Sequence, residues 1–170
     1  MSNSIILVGM PGSGKSTLGR LLANRTQMPF ADTDLYIEGK AGVSLQEYLD
    51  EHGYLKLREL EETVILEHEH HFHRTIISTG GSVVYSDKAM EHLKRFGTIV
   101  YLQVSADALL ERIHNMESRG IACKPGQTFH DLYEERCFLY EKYADITLNI
   151  DGETEMESLE KLLNNSKLSF

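Results

Sequence analysis

A glycine-rich segment near residue 10 combines the residue types that bind phosphate groups. Residues 9–17 read GMPGSGKST, which matches the pattern G-x-x-x-x-G-K-[ST] between a predicted strand and a predicted helix. Gly12 and Gly14 allow the backbone to wrap so that successive N–H groups point inward, and the following helix adds the positive end of its dipole. The pattern therefore predicts a site for the phosphates of a nucleotide. A glycine-rich turn without a ligand is the alternative.

The polar residues of this segment each suit one part of a nucleotide triphosphate. We expect the ammonium group of Lys15 to reach the β and γ phosphates, and the Ser16 hydroxyl to ligate a Mg²⁺ ion that bridges them. ATP with Mg²⁺ is therefore the expected ligand. The predicted nucleotide-binding residues of this segment are Gly12, Ser13, Gly14, Lys15, Ser16 and Thr17.

Two carboxylates follow the second predicted strand. They are Asp32 and Asp34, and we expect them at the carboxyl edge of the sheet, where α/β proteins bind their ligands. In an extended chain the two side chains share a face, so that Asp32 can hold the metal while Asp34 approaches the hydroxyl group of an acceptor. Alternatively, Asp34 caps the helix that follows. Both interpretations are open from the sequence, and one residue can serve both purposes.

The elements that must position these residues alternate along the chain. Short apolar runs predict strands, and longer segments with helical periodicity separate them. The predicted strands are Ile5–Val8, Pro29–Ala31, Thr75–Ile77, Thr98–Leu102 and Ile146–Ile150. The predicted helices are Thr17–Arg25, Leu35–Lys40, Ser44–His52, Leu55–His68, Asp87–Arg95, Ala106–Asn115, Thr128–Tyr143 and Glu155–Asn164. This alternation indicates a three-layer α/β fold of the P-loop NTPase type, with a five-stranded parallel sheet flanked by helices.

The composition limits the class of protein. The chain has 170 residues, of which 41% are hydrophobic, and its formal net charge is −9. This size suits a single domain over residues 1–170, and the acidic balance argues against a nucleic-acid partner, which needs a surplus of Lys and Arg. The apolar runs are too short to span a bilayer, and two cysteines cannot form a disulfide framework. We therefore expect a cytoplasmic monomer with no membrane and no nucleic acid among its partners.

Several short motifs resemble those of the shikimate kinase family. Besides the phosphate-binding segment, they are Asp32-Thr33-Asp34, Arg58 with Glu61, and Ser78-Thr79-Gly80-Gly81 after the third strand. Arg136, followed by Leu139-Tyr140, extends the resemblance, so that motifs in the family's order run from residue 9 to residue 140. The resemblance implies ATP-dependent phosphorylation of the 3-hydroxyl of shikimate, in the pathway to chorismate and the aromatic amino acids.

The resemblance also implies roles for particular residues. Arg58 and Arg136 would clamp the carboxylate of shikimate, because a guanidinium suits a carboxylate better than an ammonium does. Asp34 would bind the hydroxyl that attacks the phosphoryl group, and its orienting role matters because phosphoryl transfer depends on positioning. Gly80 and Gly81 would allow the backbone to approach the substrate where a Cβ would collide.

Each of these residues also has a plainer interpretation. Glu61 lies one helical turn beyond Arg58 and can hold its guanidinium, yet such i,i+3 pairs are common on exposed helices. The same holds for Arg136, which lies in an acidic run. Gly80 and Gly81 can form an ordinary turn after a strand. The order of the motifs is what favours the functional interpretation.

The chain departs from the family's pattern around the acceptor and the base. Ser82 stands where the family has a third glycine, which narrows the acceptor pocket or adds a hydroxyl donor. The lid motif has Arg119-Gly120 in place of Arg-Pro. We expect Arg119 to stabilise the transferring phosphoryl group, with Lys124 as the alternative. Arg112 is the candidate for stacking on adenine, and a solvated helix cation is its plainer interpretation.

The domain organisation follows from the same pattern. The core would comprise residues 1–32, 74–115 and 128–170, with a substrate-binding helical insert over residues 33–61 and a lid over residues 116–127.

Two other functions stay open: a P-loop kinase for another small hydroxylated acid, and a nucleotide-binding module without catalysis. The histidines within residues 68–73 suggest a zinc site, but no third ligand cluster has suitable spacing, so a solvated helix end is favoured.

Overall fold

Five strands form the central sheet of the computed structural model, which describes residues 3–113 and 121–170. They are β1 (Ser4–Val8), β2 (Phe30–Asp32), β3 (Ile76–Ser78), β4 (Gly97–Gln103) and β5 (Ile146–Asn149). Their order across the sheet is β2-β3-β1-β4-β5, and every neighbouring pair is parallel. The predicted five-stranded parallel sheet is therefore confirmed.

Strand β1 lies at the centre of the sheet, and its sequence explains why. All five of its residues are buried, as expected for a parallel strand that is covered on both faces. Leu7 of β1 lies opposite Ser78 of β3, which in turn lies opposite Asp32 of β2. The carboxyl ends of these three strands therefore lie side by side, and the segments that follow them meet at one edge.

Eight α-helices in the described ranges connect and flank the strands. They are α1 (Lys15–Thr26), α2 (Thr33–Ala41), α3 (Leu45–His52), α4 (Tyr54–Glu67), α5 (Asp87–Lys94), α6 (Ala106–Arg112), α7 (Phe129–Tyr143) and α8 (Glu155–Leu163). Short 3₁₀ turns follow α4 and β3. Capping boxes begin α3, α7 and α8, where the hydroxyls of Ser44, Thr128 and Thr154 accept hydrogen bonds from the backbone N–H groups of the first turn.

The buried apolar residues form two clusters. The larger cluster is built around β1, β3 and β4 and includes Ile6, Leu22 and Val100, each with 0% exposure. The smaller cluster lies among α2, α3 and α4 and consists of Ile37, Leu57, Val64 and Ala122 with partly buried neighbours. The three helices between β2 and β3 thus have apolar packing of their own, joined by Ala122 from a distant part of the chain.

The predicted elements agree with the observed ones apart from their ends. Helix α1 begins two residues before the predicted start because Gly14, with a φ of 92°, allows the chain to turn directly into the helix at Lys15. Helix α6 ends at Arg112, before the predicted end at Asn115, which lies outside the described residues. The predicted insert over residues 33–61 falls on α2, α3 and the first half of α4.

The predicted lid lies partly outside the described ranges. Residues 116–120, including Arg119, are among those that the structure does not describe, whereas residues 121–127 are described. Within the described ranges, none of the helices has the length and the apolar composition that a membrane span requires. In the same ranges, no cluster of three or more His, Cys, Asp or Glu side chains is arranged to hold a metal. His68 follows the last residue of α4, and Glu69–His71 form a 3₁₀ turn.

Candidate active site

The phosphate-binding segment wraps between β1 and α1. Gly12 and Gly14 have φ values of 83° and 92°, in the left-handed region that favours glycine, and the Ser13 N–H between them donates to the carbonyl oxygen of Met10 at 3.1 Å. The Lys15 ammonium group donates hydrogen bonds to the carbonyl oxygens of Gly9 and Met10, at 2.8 and 2.9 Å. Burial lowers the pKa of Lys15 to about 8, against the opposing effect of the Asp34 carboxylate. An anionic ligand beside Lys15 would therefore stabilise its charged form.

Oxygen atoms from three segments meet next to this loop. The Ser16 hydroxyl donates to Asp32 Oδ2 at 2.9 Å and lies 3.1 Å from the Ser78 hydroxyl. Hydroxyl and carboxylate oxygens are the ligands that Mg²⁺ prefers, and Mg²⁺ commonly binds through one or two protein ligands together with phosphate oxygens. The predicted metal-binding pair, Ser16 and Asp32, is thus brought together with chemistry that fits this ion.

Asp32 and Asp34 do not share the face of an extended strand, contrary to the simplest expectation. Asp32 ends β2, and α2 begins at Thr33, so that Asp34 already belongs to the helix. Asp32 caps the helix, because the backbone N–H of Asp34 donates to Asp32 Oδ1 at 3.1 Å. The capping role expected of Asp34 therefore belongs to Asp32. Burial, followed by the charge of Asp32, raises the pKa of Asp34 to about 6.

Arg58 and Arg136 reach the same point from two helices. Arg136 of α7 is buried, with 1% exposure, and its Nη2 donates to the carbonyl oxygen of Ala122 at 2.6 Å. Arg58 of α4 donates to the same oxygen at 3.3 Å, and its guanidinium carbon lies 3.5 Å from the centre of the Tyr85 ring. The Nε atoms of both arginines are buried without a hydrogen-bond partner in the described ranges. Two guanidiniums that share one carbonyl form a site suited to an anion.

Gly80 and Gly81 form the wall between the carboxylates and the arginines. A Cβ at Gly80 would collide with Glu61 Oε1 and would lie 3.0 Å from Asp34 Oδ1. A Cβ at Gly81 would lie 2.7 Å from Arg136 Nη1. A side chain at either position would therefore force the end of a buried charged side chain to move.

Glu61 does not hold Arg58, contrary to the i,i+3 expectation. Within the described ranges the two side chains form no ion pair, and Glu61 Oε2 instead accepts a hydrogen bond from the Ser82 hydroxyl. Glu61 is 3% exposed, and burial raises its pKa to about 7. The helical spacing brings the two residues to one side of α4, but the aromatic face of Tyr85 attracts Arg58 away.

One cavity of about 460 Å³ contains most of the predicted residues. Its lining comes from the phosphate-binding loop and the start of α1, from α2, α3, α4 and α7, and from the segments after β3 and before α7. The predicted residues among its lining are Gly12, Gly14, Lys15, Ser16, Thr17, Asp34, Gly80, Gly81 and Arg136. Glu61, Ser82, Ile121 and Ala122 also line it. Most of the residues predicted to bind phosphate and acceptor thus share one cleft, whereas Ser13, Asp32 and Arg58 do not line it.

A second cavity of about 270 Å³ adjoins the other side of the phosphate-binding loop. Arg112 lines it and donates to the carbonyl oxygen of Gly12 at 3.2 Å, and Ser13 and Thr17 contribute from the loop. The role of Arg112 in stacking on adenine stays a prediction. Lys124, the alternative to Arg119, is exposed, forms an ion pair of 3.9 Å with Glu135 and lines neither of the two cavities.

Sequence reasoning missed two contributors to the site. The carbonyl oxygen of Ala122 is a main-chain group and carries no signal in the residue type. Tyr85 lies in the 3₁₀ turn after the glycine pair, where its ring packs against Arg58 and its hydroxyl donates to Glu135 at 2.6 Å. An aromatic residue soon after a glycine pair is too common a pattern to have identified it.

Comparison with known proteins decides the family. The model of the family described as SKI: Shikimate kinase matches residues 11–167. This chain belongs to the shikimate kinase family. It is 35% identical to the shikimate kinase of Sulfurihydrogenibium sp. over 164 residues, which cover 96% of this chain and 98% of that protein. It is 38% identical to the shikimate kinase of Paracidovorax citrulli over 149 residues, or 86% and 81% of the two chains.

Structural similarity to the shikimate kinase family extends over nearly the whole chain. The structure of shikimate kinase from Acinetobacter baumannii in complex with shikimate superposes with a TM-score of 0.86 at 28% identity, covering 96% of this chain and 92% of that one. The resemblance inferred from the motifs is therefore confirmed at the level of family and fold.

Proposed function

We propose that the chain transfers the γ-phosphoryl group of ATP to the 3-hydroxyl of shikimate, giving ADP and 3-phosphoshikimate. The observation that carries this proposal is that Lys15 and Asp34 line one cleft with Arg136. The cation of the phosphate cradle, a carboxylate at the sheet edge and a buried guanidinium are what a kinase for a hydroxylated carboxylic acid requires. Membership of the shikimate kinase family supports the choice of acceptor.

On the nucleotide side, the loop between β1 and α1 would bind the phosphates. Backbone N–H groups of Gly12 to Thr17 and the amino end of α1 would hold the β phosphate, while Lys15 would release its two carbonyl partners and meet the γ phosphate. Ser16 and Asp32 would hold the Mg²⁺ ion, which neutralises phosphate charge when it is bound. Arg112 would contact the base from the second cavity.

On the acceptor side, Arg58 and Arg136 would clamp the carboxylate of shikimate in place of the Ala122 carbonyl. Asp34 would orient the 3-hydroxyl and accept its proton. The new bond forms between the hydroxyl oxygen and the γ phosphorus, while the bond from that phosphorus to the bridging oxygen of ADP breaks. With a pKa of about 6, Asp34 is mostly ionised at pH 7 and is still basic enough to take the proton.

The predicted role of Arg119 belongs to this mechanism. Its cation would stabilise the charge on the transferring phosphoryl group, and closure of the lid would exclude water as a competing acceptor. Arg119 lies outside the described residues, so this role stays a prediction. The monomeric state and the cytoplasmic location expected from the sequence also stay predictions.

An acceptor panel tests the proposed function. ADP release from MgATP is measured with shikimate, quinate, gluconate, homoserine and nucleoside monophosphates as acceptors. We expect stimulation by shikimate, and a loss of at least about 10²-fold in kcat for Asp34→Asn, because that change removes the proton acceptor. Asp50→Asn is the matched control, since Asp50 lies on the exposed part of α3 and contacts Gln46. Stimulation by another acid, with none by shikimate, would refute the choice of acceptor.

A further inference from the structure

Glu61 is a buried carboxyl group with only one of its two oxygens engaged. It lines the cleft beside Asp34, and its Oε2 accepts a hydrogen bond from the Ser82 hydroxyl. Its Oε1 is buried and has no hydrogen-bond partner in the described ranges. A buried carboxyl oxygen without a partner costs free energy, so its position calls for a group that arrives with the ligand.

The free oxygen of Glu61 faces the same part of the cleft wall as Asp34. A Cβ at Gly80 would collide with Glu61 Oε1 and would also lie 3.0 Å from Asp34 Oδ1. Oxygens from two different helices therefore converge on one glycine, which has no side chain to keep them apart. Two neighbouring carboxyl oxygens of this kind match two neighbouring hydroxyl groups on one ligand.

Ser82 is the residue that holds Glu61 in this orientation. Within the described ranges Arg58 is directed to Tyr85 and Ala122, so it does not compete for the carboxyl group. Ser82 follows the glycine pair directly and lines the cleft itself. Its hydroxyl occupies Oε2, which leaves Oε1 as the oxygen that can meet a ligand.

We propose that Ser82 is a positioning residue, which holds Glu61 so that Glu61 Oε1 bonds a second ring hydroxyl of the acceptor beside the one that Asp34 binds. This inference rests on the proposed function, because it takes shikimate, with its three ring hydroxyls, as the ligand. Burial raises the pKa of Glu61 to about 7, so near neutral pH the oxygen is available both as an acceptor and, when protonated, as a donor.

Loss of the Ser82 hydroxyl tests the proposal. Binding of shikimate and of ATP to the full chain is measured by calorimetry, together with KM and kcat. For Ser82→Ala we expect shikimate to bind about tenfold more weakly, with ATP affinity unchanged, because one buried hydrogen bond and the orientation of Glu61 are lost. Ser82→Thr keeps the hydroxyl, and we expect it to restore shikimate affinity to within about threefold of the unaltered chain.

Ser86 and Glu62 offer a matched control for the same kind of contact. The Ser86 hydroxyl donates to Oε2 of Glu62, the residue that follows Glu61 in α4. Neither Ser86 nor Glu62 lines the cleft. Ser86 also caps α5, so Ser86→Ala lowers the melting temperature. We expect it to leave shikimate affinity within twofold of the unaltered chain. An equal loss of shikimate affinity in both variants would assign the effect of Ser82 to stability and overturn the proposal.

Analogues of shikimate that lack one hydroxyl identify the contact. If Glu61 bonds the 4- or the 5-hydroxyl, the analogue without that hydroxyl binds equally to the unaltered chain and to Ser82→Ala. The proposal would be overturned if the unaltered chain still bound both the 4-deoxy and the 5-deoxy analogue tenfold more tightly than Ser82→Ala does. Unchanged shikimate affinity in Ser82→Ala would also overturn it. Failure of the proposed function is distinct, because the unaltered chain would then neither bind shikimate nor release ADP in its presence.

Discussion

The two halves of the cleft are built in different ways. The nucleotide half comes mainly from one continuous segment of nine residues, and its cation, Lys15, has two carbonyl partners within that segment. The acceptor half takes one or two side chains each from α2, α4, the segment after β3 and α7. Three of its buried polar atoms lack partners within the described ranges, namely Arg58 Nε, Glu61 Oε1 and Arg136 Nε, against one in the phosphate-binding segment, Ser13 Oγ.

Under the proposed function, this difference indicates where each half obtains its binding energy. The nucleotide half uses backbone groups and a helix end that are already in place, so its geometry depends little on other parts of the chain. The acceptor half gathers buried charges that only a ligand can satisfy completely, and it relies on tertiary packing to keep them together. Substitutions in the two halves should therefore have separable effects on the two substrates.

The largest effect is expected on the nucleotide side. Lys15→Ala should reduce turnover by at least about 10³-fold, because the γ phosphate loses the buried cation that faces its developing charge. ADP release and calorimetric binding of both substrates provide the measurement, and shikimate affinity should stay within about twofold. Lys142→Ala is the control, since Lys142 is on the surface and pairs with Asp87. Turnover within tenfold of the unaltered chain would contradict the role of Lys15.

An intermediate effect is expected on the acceptor side. Arg136→Lys should raise the KM for shikimate about 10²-fold and Arg58→Lys about tenfold, because an ammonium cannot replace two parallel N–H donors. The order follows from burial, since Arg136 is 1% exposed and Arg58 is half-buried. Steady-state kinetics with each substrate varied provide the measurement, and exposed Arg25 supplies the control Arg25→Lys. A parallel rise in the KM for ATP would show that the two halves are not separable.

The smallest effect is expected from the pH dependence of kcat/KM, which should change about tenfold per pH unit as one ionisable group in each half titrates. Asp34 must be ionised to accept a proton, and its pKa is raised to about 6, so kcat/KM for shikimate should fall as the pH drops below 6. Lys15 must be charged, and its pKa is lowered to about 8, so kcat/KM for ATP should fall as the pH rises above 8. Rate profiles from pH 5 to 9.5, with circular dichroism to verify folding, provide the measurement. A flat profile would contradict both assignments.

Most of the fold could be predicted from the sequence because its signals are local. Apolar runs located all five strands, and periodicity located the helices to within a few residues. The predicted ends of the elements were less accurate where no loop separates a strand from a helix. One example is Thr33, where α2 follows β2 directly. That difference moved the capping role from Asp34 to Asp32, because a single residue decides whether a carboxylate precedes a helix or belongs to it.

The parts of the candidate site that are contiguous in the sequence were easier to predict than the parts that come from distant segments. The phosphate-binding residues form one motif, whereas Arg58, Glu61 and Arg136 were identified through the order of motifs in a family. Their actual partners were beyond sequence reasoning. Glu61 bonds Ser82 rather than Arg58, because Tyr85 and Ala122 compete for the guanidinium from segments far away in the chain.

The sequence by itself determined the class of fold, the phosphate cradle and the residues that carry charge. These follow from periodicity and from a contiguous motif, which depend on neighbours along the chain. Only the tertiary structure decided which charges meet. The parallel order β2-β3-β1 brings three strand ends to one edge, and α4 and α7 bring two arginines to one carbonyl oxygen. Contacts of this kind depend on packing between distant segments, which no local pattern encodes.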